Sequence, residues 1–78
     1  MSPDDVRALV LAAMPGAEVA VRDMTGGGDH FEIAVGSSAF AGLGLVEQHR
    51  RVHAALGDAM RERIHAVAIK TYVPKATP

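Results

Sequence analysis

Residues 18–35 read EVAVRDMTGGGDHFEIAV, and this stretch decides the fold. Val19 and Val21 alternate with Glu18, Ala20 and Arg22, while Phe31, Ile33 and Val35 alternate with Glu32 and Ala34. A period of two sends successive side chains to opposite faces, so each run reads as a half-buried strand. Between them, Thr25 to Asp29 interrupts the pattern with three consecutive glycines and needs only a short reversal. The pair is expected to be an antiparallel hairpin.

Upstream, Ser2-Pro3-Asp4-Asp5 reads as a helix start. Ser2 can cap, Pro3 suits the first helical position, and the carboxylates suit the positive end of the helix dipole. Val6, Leu9, Val10, Ala13 and Met14 recur at helical spacing, which predicts a helix over residues 3–14, stopped by Pro15-Gly16. Downstream, Ser37 to Ala41 suggests a capped short turn of helix, and Gly42-Leu43-Gly44 a hinge. A longer helix follows over about residues 45–62, with Leu45, Val52, Leu56 and Met60 as its apolar stripe and His49 on the same face. Gly57 weakens it by about 1 kcal/mol relative to alanine, and is where it would fray or end early. Residues 64–73 form a third strand, stopped by Pro74, and the tail over about 74–78 is expected to be loose.

The order is therefore α-β-β-α-α-β. A helical crossover between the second and third strands permits parallel, right-handed pairing. Three strands with helices on one face make a single two-layer α+β domain over residues 1–78.

The composition narrows the function. There is no cysteine, so neither a disulfide nor a thiolate ligand can come from this chain. Phe31, Phe40 and Tyr72 are too few aromatics for a base-stacking platform. A net charge of −1 lacks the basic excess of a dedicated DNA binder. The acidic start is unlike a targeting peptide, and no apolar run approaches the length of a membrane span, so a cytoplasmic location is expected.

Histidines are the main chemical resource. His30 opens the second strand and His65 the third. If the strands are parallel neighbours about 4.8 Å apart, both imidazoles start at one edge of the sheet and could share a metal centre. Their parity opposes this, because His30 is out of phase with Phe31 and Ile33 whereas His65 is in phase with Val67 and Ile69. Two strand-end histidines facing water is the plainer reading of the spacing. His49 reads as a half-buried histidine hydrogen-bonded across the core, and His53 as a packing or surface residue. Gly26-Gly27-Gly28 is not a phosphate cradle, since it leads into a strand instead of a helix; it reads as a flexible hairpin loop. Ser38 to Arg51 has the outline of a helix-turn-helix, with Gln48, Arg50 and Arg51 as groove readers. Asp23, Asp29 and Glu32 supply carboxylates near the hairpin, but no nucleophile and base form a credible pair, so no enzyme signature is present.

Longer strings carry a resemblance. Gly27-Gly28-Asp29-His30-Phe31-Glu32-Ile33, Phe40-Ala41-Gly42, Gln48 through Leu56 and Ile64-His65-Ala66-Val67-Ala68-Ile69-Lys70-Thr71 resemble the BolA-like family, in order and over nearly the whole chain. The loop ending Gly-Asp-His-Phe is most similar to the family's bacterial, acid-stress-linked, short histidine-loop branch.

The resemblance implies a fold like class II KH domains and a non-enzymatic adaptor role. The implied partner is a monothiol glutaredoxin, commonly around a shared [2Fe-2S] cluster to which glutaredoxin and glutathione each give a thiolate. It assigns one nitrogen ligand to His65 and a second to a histidine or cysteine of the hairpin region. Some relatives carry that ligand among the loop glycines; here the nearby candidate is His30. The implied setting is iron–sulfur trafficking or iron regulation. The alternative is a nucleic-acid-binding regulator of stress and morphology, acting through Arg50, Arg51 and Lys70.

Overall fold

The computed structural model describes residues 1–62, 64 and 66–74, residues 61 and 62 through their backbone alone. Arg63, His65 and, of the tail expected to be loose over about 74–78, residues 75–78 lie outside that set. The chain runs α1 (Pro3–Ala13), β1 (Glu18–Asp23), β2 (His30–Gly36), a 3₁₀ turn (Ser38–Phe40), α2 (Leu45–Leu56), α3 (Ala59–Glu62) and β3 (Ala66–Tyr72).

Local chemistry starts α1 as expected. The Ser2 hydroxyl accepts from the Asp5 amide at 3.1 Å, and the Asp5 carboxylate accepts from the Ser2 amide at 2.9 Å. This capping box satisfies two amides that a helix N-terminus otherwise leaves bare. Such caps contribute about 1 kcal/mol. One face of α1 then buries Val6 and Val10 completely.

The sheet has the order β1-β2-β3. β1 and β2 are antiparallel, with Val21 opposite Ile33, and β2 and β3 are parallel, with His30 opposite Ala66 and Ile33 opposite Ile69. β2 is therefore the central strand, and its Phe31, Ile33 and Val35 are fully buried. They join Val6, Val10, Phe40, Val52, Leu56 and Ile64 in one core. Both long helices thus cover one face of the sheet, as a two-layer arrangement requires. The other face carries the alternate residues, among them His30, Glu32, Lys70 and Tyr72.

The expected helix over residues 45–62 is two helices. Gly57 closes α2 at φ 56° and ψ −132°, a conformation open only to glycine. Its amide still bonds the His53 carbonyl at 3.0 Å, and the Ile64 amide bonds the Ala59 carbonyl at 2.8 Å, turning the chain toward β3.

The apolar stripe also needs one correction. Val52 and Leu56 are buried and Met60 packs against the core, but Leu45 is 62% exposed. Near the start of α2 the inward contact is polar instead. Gln48 Nε2 donates to the Leu43 carbonyl at 2.8 Å, and the Thr71 hydroxyl donates to Gln48 Oε1 at 2.6 Å. Finally, Ser38–Phe40 is a three-residue turn whose role is to bury Phe40, too short to act as the first helix of a helix-turn-helix.

Candidate metal site

The two strands that begin at one end of the sheet build this site. The Asp29 carbonyl accepts from the Ala66 amide at 3.2 Å, and the His30 carbonyl accepts from the Met24 amide at 2.8 Å. His30 is thereby fixed between β1 and β3 at the mouth of the parallel pair. Its side chain lies on the face opposite the core, as its parity with Phe31 predicts, and is 34% exposed. A cleft of about 310 Å³ opens there, lined by Met24, Thr25, His30, Phe31 and residues 66–68 of β3.

The ring of His30 has a specific partner. Its Nδ1 lies 2.9 Å from Asp29 Oδ1. A carboxylate accepts and does not donate, so a neutral ring in this contact carries its proton on Nδ1 and its lone pair on Nε2. Carboxylate–imidazole pairs of this kind are the usual support of a metal-bound histidine. The donor chemistry of His30 therefore fits a nitrogen ligand. Among the described residues, no three His, Cys, Asp or Glu side chains gather into a complete metal site.

The glycine loop behind His30 is ordered by a residue whose role was not evident in the sequence. Asp23 Oδ1 accepts from the amides of Thr25 (3.2 Å) and Gly26 (2.9 Å), and its Oδ2 accepts from Gly28 (2.8 Å). The Gly27 amide donates to the Thr25 hydroxyl at 3.3 Å. The loop is thus folded on its own side chains and makes the short reversal between β1 and β2 that the sequence predicts. The amides of Thr25 and of all three glycines are bonded inward and so are not arranged to cradle a phosphate. The available signal was an aspartate two residues before a turn, the position from which Asx turns form.

His65 lies outside the described residues; the next residue, Ala66, stands opposite His30. His49 is half-buried on α2 and His53 is exposed. Arg50 and Arg51 are exposed on α2, with Arg51 Nε 3.8 Å from Glu47 Oε1. Lys70 is exposed on the open face of the sheet, the opposite layer from α2. The residues of the nucleic-acid alternative are therefore divided between the two sides of the domain. Among the described residues, no helix is long and apolar enough to cross a membrane.

The family model described as BolA-like protein matches residues 10–76. The chain belongs to the BolA-like family. Among its BolA-like relatives, the acid stress protein IbaG of Escherichia coli is 31% identical over 95% of this chain and 86% of its own length. The DNA-binding transcriptional regulator BolA of Vibrio cholerae is 47% identical over 60% of this chain and 44% of its own length. A solved BolA homologue from Coxiella burnetii superposes with a TM-score of 0.83 at 31% identity, covering 95% of this chain and 92% of that one. The match to Bos taurus BolA-like protein 1 covers 33% of that longer protein. The α+β architecture with a three-stranded mixed sheet is thus the BolA fold.

Proposed function

We propose that this BolA-like chain is a non-catalytic adaptor that pairs with a monothiol glutaredoxin and shares a [2Fe-2S] cluster with it and with glutathione, in iron–sulfur trafficking or iron regulation. The observation that carries this reading is the His30–Asp29 pair at the mouth of an open cleft, beside the strand that follows His65. His65 is the nitrogen donor that the family resemblance assigns, and His30 would serve as the second ligand, through Nε2. The chain has no cysteine, so the thiolates belong to glutaredoxin and glutathione. When bound, such a cluster supplies a redox-active, transferable iron–sulfur unit. Exchanging thiolates for neutral imidazoles removes negative charge and raises its potential.

The test is to combine the purified chain with a monothiol glutaredoxin, glutathione, ferrous iron and sulfide, and to record visible absorption and circular dichroism. A spectrum distinct from that of glutaredoxin alone is expected. His65→Ala should abolish it, and His30→Ala should weaken or abolish it. If adding the wild-type chain leaves the glutaredoxin spectrum unchanged, the adaptor reading fails.

A second reading rests on the Vibrio relative, whose name describes DNA binding. Arg50, Arg51 and Lys70, the residues expected to carry it, are exposed, but on opposite layers and in a chain of net charge −1. That arrangement supports salt-sensitive binding at most. A sequence-specific dissociation constant tighter than about 10⁻⁸ M for a labelled duplex would reverse the ranking.

A further inference from the structure

We infer that Asp29 is the positioning residue of this site: its carboxylate holds the ring proton of His30 on Nδ1 and so makes Nε2 the atom that the imidazole offers to a metal. What the site binds rests on the function proposed above; the tautomer itself does not.

The argument starts from histidine in water, where the neutral ring favours the proton on Nε2 and the lone pair on Nδ1. The 2.9 Å contact between His30 Nδ1 and Asp29 Oδ1 reverses that preference, because the carboxylate has only lone pairs to present. Asp29 is itself well placed to do this. Its carbonyl receives the Ala66 amide, so its backbone is tied to the first residue of β3. Space for its carboxylate depends on the neighbouring glycine. A Cβ on Gly27 would stand 3.2 Å from Asp29 Oδ1, closer than an ordinary contact. The loop that presents Gly27 is in turn fixed by Asp23. A chain of short, local contacts therefore runs from Asp23 through the glycines to Asp29 and ends on one ring nitrogen of His30. Partners of this kind orient the ring and raise its basicity toward metal, and losing them costs about 10- to 100-fold in metal affinity.

Two readouts test the assignment. Long-range nitrogen-15 correlation spectra of the histidine rings are recorded on the chain alone at pH 8, for wild type, Asp29→Asn and Asp29→Leu. The wild-type His30 should show a protonated Nδ1 and a lone-pair Nε2. Asp29→Asn should keep that pattern, because its amide oxygen still accepts. Asp29→Leu should return the ring toward the Nε2–H form. The same proteins are then titrated into cluster-loaded monothiol glutaredoxin with glutathione, followed by visible circular dichroism. Asp29→Leu should weaken formation of the mixed spectrum by about 10- to 100-fold, with Asp29→Asn largely restoring it.

A wild-type His30 protonated on Nε2, or an Asp29→Leu ring that stays Nδ1–H, overturns the inference. So does an Asp29→Leu variant that forms the mixed spectrum as tightly as wild type. If the wild-type tautomer is as stated but no mixed spectrum forms, the adaptor function falls while the control of the ring by Asp29 stands. The wild-type spectrum decides the tautomer even if Asp29→Leu does not fold.

Discussion

The Tyr72 hydroxyl donates to the Glu18 carboxylate at 2.9 Å, linking the two edge strands across the open face of the sheet. The ring between them lies over Gly36, the residue opposite both Glu18 and Tyr72 in the strand register. Three strands are thus pinned at the end of the sheet away from His30.

This bond sets the ionisation of the phenol. The hydrogen bond to Glu18 first, then desolvation and the negative charge of Glu18, raise the Tyr72 pKa above its ordinary value of 10.0. The folded form therefore favours the protonated phenol. The bond's contribution is complete below the unfolded value and is lost as pH rises through the folded one. The chain has one tyrosine and no tryptophan, so an ultraviolet phenolate titration reads Tyr72 alone. A midpoint above 10.0 is expected, falling in Glu18→Gln; identical midpoints in the two proteins would contradict the bond.

Gly36→Ala should produce the same change without altering either partner. A Cβ at that position would overlap the Tyr72 ring, and the ring must move off the sheet to admit it. The phenol should then titrate closer to its ordinary value. A Gly36→Ala protein whose Tyr72 titrates like wild type would show that the ring does not rest there.

At Gly57 two effects oppose one another. Helix propensity alone favours alanine by about 1 kcal/mol. A non-glycine residue held at φ 56° and ψ −132° costs about 1–3 kcal/mol, which wins. Gly57→Ala should lower unfolding stability by about 1 kcal/mol in a urea titration. A stabilised variant would mean that α2 and α3 join into one helix at little cost.

Removing the Asp23 carboxylate leaves three loop amides without their acceptor. Asp23→Ala should cost about 2 kcal/mol, since hydrogen bonds to charged groups are the stronger kind. Faster hydrogen exchange should follow at Thr25, Gly26 and Gly28 and spare β3. Uniform acceleration over the whole domain would argue against a local role.

Gln48 and Thr71 tie the start of α2 to β3. A double-mutant cycle with Gln48→Ala and Thr71→Ala should give a coupling of about 1 kcal/mol, the usual net worth of such a bond. Additive losses would show that the two side chains act separately.

Much of this architecture was legible because its signals are local. The alternation of Val19 and Val21 and of Phe31, Ile33 and Val35 is a property of extended backbone, so it survived folding unchanged. Ser2 and Asp5 cap α1 within one turn of chain. The stripe of α2 was less reliable. Helical spacing places Leu45 at the same azimuth as Val52 and Leu56, but says nothing of which inward contact each turn makes. There Gln48, bonded to a strand distant in sequence, takes that contact. At the site, His30 was visible as a donor and Asp23 and Asp29 only as nearby carboxylates. Their roles depend on how a glycine run turns, and glycine constrains its own path least of all residues.

The bond from the Ala66 amide to the Asp29 carbonyl also bears on how the protein is made. During synthesis the β1–β2 hairpin emerges with His30 already in its strand, but one wall of the cleft is missing. That wall arrives only after α2 and α3 have followed and β3 returns to pair with β2. Parallel pairing across such a crossover belongs to the slow, non-local part of folding. A nascent or partly unfolded chain therefore presents His30 on an incomplete ledge, so cleft assembly and completion of the sheet are a single event.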